Sequence, residues 1–116
     1  MELRYREAAI ADLRRYVAQY ASSFFESYRD TGLWNADTII ASAGQNAEKL
    51  QDMIFESISA RLTALRVIGR KQLFDSWGEI GFHVGSRLVI VYYSEDKKNK
   101  TRWIESISID RKPIIF

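Results

Sequence analysis

The chain has 116 residues, 47% of them apolar and 28% charged, with a net charge of +2; this fits one globular domain spanning residues 1–116 and argues against a disordered or fibrous chain. With no cysteine and a single histidine, a disulfide framework and a thiolate zinc site are excluded, and neither a metal nor another cofactor is expected. No apolar run nears the roughly 18 residues of a membrane span, and the opening Met1-Glu-Leu-Arg-Tyr-Arg lacks the apolar centre of a signal peptide, so a cytoplasmic protein with no membrane contact is expected.

Leu3 to Glu7 alternates apolar and charged side chains and reads as a short half-buried strand. From Ala8 the period changes. Ala9, Leu13, Tyr16, Val17, Tyr20 and Phe24 trace the stripe of an amphipathic helix, which a glycine stop ends near Asp30 to Gly32. Asn35 to Asp37 suits a second helix start, capping free N–H groups and meeting the positive end of the dipole. The stripe Ile39, Ala43, Leu50, Ile54, Ile58, Leu62 and Leu65 carries that helix. Gly44 lies beside the packing face, where it would permit close approach to the first helix at about 1 kcal/mol against Ala. The two form a long helical hairpin.

Val67 to Lys71 is a connector, and strand grammar begins after it. In Glu79 to Val84, Ile80, Phe82 and Val84 share one face while Glu79, Gly81 and His83 share the other. Gly85-Ser86 is a two-residue hairpin signal. Arg87 to Tyr93 is apolar on both faces, as in a central strand, and Ser94 to Lys100 is a polar turn. Thr101 to Asp110 is the next strand; strict alternation sets Trp103, Ile107 and Ile109 against Arg102, Ile104, Ser106 and Ser108, with Trp103 in the core. Pro113 limits the tail to an edge strand or an irregular end. The order β-α-α-β-β-β gives an α+β fold: an N-terminal strand and a long helical hairpin packed on a twisted antiparallel sheet, whose apolar face covers the helical stripes.

The charge is polarised. Residues 1 to 65 carry 7 Lys/Arg against 9 Asp/Glu, and residues 66 to 116 carry 10 against 6, which suggests a polyanionic partner. Arg87 and Arg111 could clamp a phosphate through bidentate forks; salt bridges to Glu79, Glu105 or Asp110 are the competing use. His83 could act as general acid or base, or be a surface residue at a hairpin end. Arg70, Lys71, Lys98, Arg102 and Lys112 would steer a nucleic acid, or be ordinary solvated charge. Aromatics of the first helix that lie off its stripe could meet a partner helix or a second copy in a homodimer.

The element order and particular residues resemble the RelE/ParE superfamily of toxin–antitoxin toxins. Tyr5-Arg-Glu-Ala-Ala-Ile-Ala-Asp-Leu-Arg-Arg-Tyr-Val-Ala-Gln-Tyr20 is similar to that family's first strand running into its first helix. Phe82-His-Val-Gly-Ser-Arg-Leu-Val-Ile-Val-Tyr-Tyr93 is similar to its hairpin and arginine-bearing central strand, and Ile107-Ser-Ile-Asp-Arg111 to the strand ending in a basic dipeptide. The resemblance implies a growth-inhibiting toxin that either cleaves messenger RNA on the ribosome without a metal or acts on a nucleic-acid enzyme such as gyrase, and that a cognate antitoxin protein neutralises. In the cleaving branch, His83 or Glu79 would take the 2'-hydroxyl proton, while Arg87 and Arg111 would offset charge on the phosphate oxygens. Where the ribonucleases place lysines on the first strand of the meander this chain has Glu79 and Gly81, and it has Phe116 where several end in a functional tyrosine. These departures weigh towards a binding role on the same scaffold: gyrase-type inhibition, a non-catalytic protein-binding module that uses the helical hairpin, or an accessory protein of a phage or plasmid.

Overall fold

A computed structural model describes residues 1–29, 32, 35–64, 67, 71–72, 77–85 and 87–109. Among these the elements run β1 (Glu2–Tyr5), α1 (Glu7–Arg29), α2 (Ala36–Leu62), β2 (Lys71–Gln72), β3 (Trp77–Val84), β4 (Arg87–Asp96) and β5 (Thr101–Ile109). The α+β class and the strand, helix, helix, three-strand order are as the sequence implies, with the two-residue β2 added at one edge. Leu65, Arg70, Asp110, Arg111, Lys112, Pro113 and Phe116 lie outside the described residues.

Both helices carry local reasons for their bounds. Glu7 in the first turn of α1 and Arg29 in its last complement the helix dipole. The side chain of Asn35 accepts the Thr38 N–H at 2.8 Å, which makes it the N-cap of α2, and Asp37 lies in the first turn. Gly44 corrects the expectation of a tight helix crossing: a Cβ added there would meet nothing within 4 Å. It borders open space rather than α1.

The sheet order is β1-β5-β4-β3-β2. It is mixed rather than wholly antiparallel, because β1 runs parallel to β5. A two-helix crossover separates β1 from the later strands, so no hairpin forces it to run antiparallel to them. Strands β3 and β4 form a regular hairpin around Gly85, whose φ of 62° suits the residue without a Cβ.

The register between β4 and β5 shifts. Tyr92 faces Ser106 but Tyr93 faces Ile104, leaving Glu105 as the extra residue of a bulge. The bulge overturns the expected alternation: Arg102 and Ile104 share the helix-facing side with Ile107, while Trp103 lies opposite Ser94 on the other face. The main core joins Ala9 and Leu13 of α1 and Ile54, Ile58 and Leu62 of α2 to Ile80, Phe82, Val84, Val89, Val91, Tyr93, Ile104 and Ile107. Tyr93 lies against its cross-strand partner Gly78, where a Cβ would overlap the ring.

Ile39, Ala43 and Ala47 are buried but lie outside that cluster. The outer halves of α1 and α2 therefore form an arm with its own apolar seam. The chain's longest extent is 56 Å and its radius of gyration 16.6 Å, against about 13 Å for a compact chain of this length. None of the described helices is long and apolar enough to cross a membrane.

Tyr5 stands edge-on to Phe55, ring centroids 5.4 Å apart, and burial pushes its hydroxyl from 10.0 to about 12. For a group raised on folding, the stabilisation is complete below the unfolded pKa and is lost as pH rises through the folded one. Stability should therefore fall between pH 10 and about 12, and Tyr5→Phe should shed part of that decline. Denaturant unfolding of both proteins across this range checks it; parallel curves would remove Tyr5 as a contributor.

Candidate functional site

The hairpin register decides where each candidate side chain points. His83 pairs with Leu88 and Val84 with Arg87. Val84 is a core residue, so Arg87 projects towards the helices, while His83 and Glu79 lie on the open face. The sheet thus separates the two groups that a cleavage site would need side by side. Arg111 lies outside the described residues.

On the open face Glu79 sits directly across from Tyr92. Burial first, then the hydrogen bond to Glu79 and its charge, raise the Tyr92 hydroxyl above its usual value. The Lys71 ammonium is 4.0 Å from the same carboxylate. Glu79 is therefore engaged as an acceptor by its strand neighbours, and Lys71, expected to steer nucleic acid, approaches it. His83 is exposed.

The bulge residue organises the rest of this face. Glu105 accepts from Ser94 Oγ at 2.5 Å and from Arg6 Nε at 3.2 Å. The Arg6 guanidinium also lies 3.9 Å from the centroid of the Trp103 ring, and that of Arg4 is 5.9 Å away. Arg4 in turn pairs with Glu2 at 3.3 Å. Trp103 is thus a half-buried platform for arginines, not a core residue. Cations and carboxylates alternate here, which is a poor surface for a polyanion.

Arg102 corrects the nucleic-acid expectation most clearly. Its side chain is 1% exposed and donates to the backbone carbonyls of Leu62, at 2.8 Å, and Ala64, where α2 ends. Glu95, its cross-strand partner, is 3.7 Å from Nε. Arg102 ties the sheet to the helix C-terminus. Lys98 is exposed beside Lys97 and Lys100 in the β4–β5 turn, at the far end of β4 from Arg87. Asn99 donates to Asp96 through its side chain at 2.7 Å and its N–H at 3.2 Å, fixing the turn and lowering the Asp96 carboxyl pKa. Arg70 and Lys112 lie outside the described residues. Among the described residues the basic side chains are dispersed rather than gathered on one surface.

Functional side chains also gather on and beside α1. Arg87 lies 5.6 Å from the ring centroids of both Tyr16 and Tyr20 and closes a cavity of about 350 Å³ with Gln19, Ser22 and Ser23 of α1. Along the arm, Ala21, Phe25, Ile40, Ala43 and Gly44, with Ser22 and Glu26 beside them, line a mainly apolar groove of about 390 Å³, and Ile40 is 58% exposed. The register counted outward from Gly85-Ser86 would have revealed both the Glu79–Tyr92 pair and the side to which Arg87 turns. Nothing in the helix periodicity marks Gln19, Ser22 or Ser23 as cavity residues. Comparison of the chain with protein-family profiles, with curated proteins and with solved structures finds no match.

Proposed function

We propose that the chain is a growth-inhibiting toxin on a RelE/ParE-type scaffold that acts by binding a protein target, a nucleic-acid enzyme such as gyrase, and is neutralised by a cognate antitoxin. The observation that carries the choice of binding over RNA cleavage is the separation of His83 and Glu79 from Arg87 by the sheet. General-base removal of a 2'-hydroxyl proton needs the base and the phosphate clamp around one scissile group, and Glu79 already takes Tyr92 and Lys71 as partners. The arm supplies the alternative surface, an apolar groove with Ile40 on its rim.

Induced expression in a bacterial host should arrest growth, and co-expression of a short neighbouring reading frame with a DNA-binding pattern should relieve it. Ile40→Asp should abolish the arrest with the far-UV circular dichroism unchanged, whereas His83→Gln should leave it intact. Purified protein should not cut messenger RNA with or without ribosomes. Cleavage that drops by a factor of about 10² to 10⁴ on His83→Gln would restore the ribonuclease reading, and full arrest by a folded Ile40→Asp variant would remove the groove from the interface.

A further inference from the structure

The cavity between α1 and the start of β4 lies away from the open face and meets the groove of the arm only at Ser22. Its volume of about 350 Å³ corresponds to roughly ten waters at ~30 Å³ each, room for a phosphate or diphosphate group with part of its hydration. Its described lining is Tyr16, Gln19, Tyr20, Ser22, Ser23 and Arg87, one cation and five neutral side chains that can donate hydrogen bonds, with no carboxylate among them. Such a lining favours an anion, whose charge the guanidinium offsets while hydroxyls and an amide complete the shell.

Two details show a shaped site rather than a loose surface depression. The Arg87 guanidinium lies at the same 5.6 Å from both tyrosine rings, so aromatic faces on successive turns of α1 restrict how it can rotate. Gln19 Oε1 is shielded from solvent and has no hydrogen-bond partner among the described residues. A carboxamide in that position can turn over and present its NH₂ to an acceptor, which an oxyanion would supply.

We infer that this cavity is a binding site for a small tetrahedral oxyanion, a phosphate or diphosphate group, held by Arg87 with Ser22, Ser23 and Gln19. The inference does not depend on the choice of protein target: the cavity shares only Ser22 with the groove of the arm, and its cation, Arg87, lies outside that groove.

The test uses the full chain with inorganic phosphate and pyrophosphate as probes and sodium chloride at matched ionic strength as the control. Either probe should raise the thermal unfolding midpoint of the wild type saturably, while chloride gives no saturable rise. Arg87→Gln should weaken binding by at least about tenfold, since one charge-assisted contact is worth that much. The double variant Ser22→Ala/Ser23→Ala alters exposed positions and should fold normally while binding several-fold more weakly. Ile40→Asp should bind as the wild type does, which keeps this result distinct from growth arrest. No saturable rise in the wild type, an equal rise with chloride, or unchanged affinity in the serine double variant would each overturn the proposal. Phosphate alone sufficing would identify a free-phosphate site; a strong preference for pyrophosphate would point to the diphosphate of a nucleotide.

Discussion

Replacing Ile54 with Ala is expected to lower the unfolding free energy by about 2 to 5 kcal/mol, seen as a lower urea midpoint at unchanged slope. Ile54 is 0% exposed and Leu13 2%, and both belong to the core between helices and sheet. Truncation removes burial and leaves a void that rigid neighbours such as Tyr93 and Ile104 fill poorly. Leu13→Ala should fall in the same range. Losses below about 0.5 kcal/mol, the size of ordinary surface changes, would mean that the helix faces are misassigned.

Arg102→Met should be as damaging, about 3 to 5 kcal/mol, for an electrostatic reason. The change keeps much of the side chain's bulk but leaves Glu95, 9% exposed, without its cross-strand cation, and the carbonyls of Leu62 and Ala64 without a donor at the end of α2. The double variant Arg102→Met/Glu95→Met should recover part of the loss, because the carboxylate that lost its cross-strand cation is then gone. It should not recover all of it, since the two carbonyls still lack their partner. Calorimetry of Arg102→Met, Glu95→Met and the double variant measures this coupling, and a loss under about 1 kcal/mol for Arg102→Met would show that water replaces the guanidinium at little cost.

The helices were readable because their signals are local and redundant. Asn35 caps, the stripe from Ile39 to Leu62 repeats, and Gly32 with φ of 70° falls between the helices. The strands were readable as strands but not as faces. Alternation from Thr101 onward holds only until a residue is inserted, and Glu105, the inserted one, carries no glycine or proline to announce a bulge. That one residue moved Trp103 out of the core and Arg102 into it. The role of Arg102 is hidden from the sequence for a second reason: its partners are backbone carbonyls 40 and 38 residues away, and no side-chain pattern encodes them. The split between His83 and Arg87 was within reach, since a two-residue turn at Gly85 fixes the pairing of every residue before and after it. A protein partner, a target or a homodimer would leave no comparable mark on a single chain.

The parallel pairing of β1 with β5 constrains the order in which this molecule can assemble. The helical hairpin and the meander from β3 to β5 join segments close in sequence, and each can begin to form from its own residues. The first strand cannot. The contacts that dock it reach as far as Arg6, the residue after it, with Glu105, 99 residues apart, so closing that loop must await β5. During synthesis, Leu3 and Tyr5 have no sheet to join until Arg102 and Ile104 have emerged, and the β5 surface that meets α1 is missing for just as long. A nascent chain of this topology keeps the sheet-facing stripe of α1 incompletely covered until β5 arrives, the interval in which a holding partner would have most to protect.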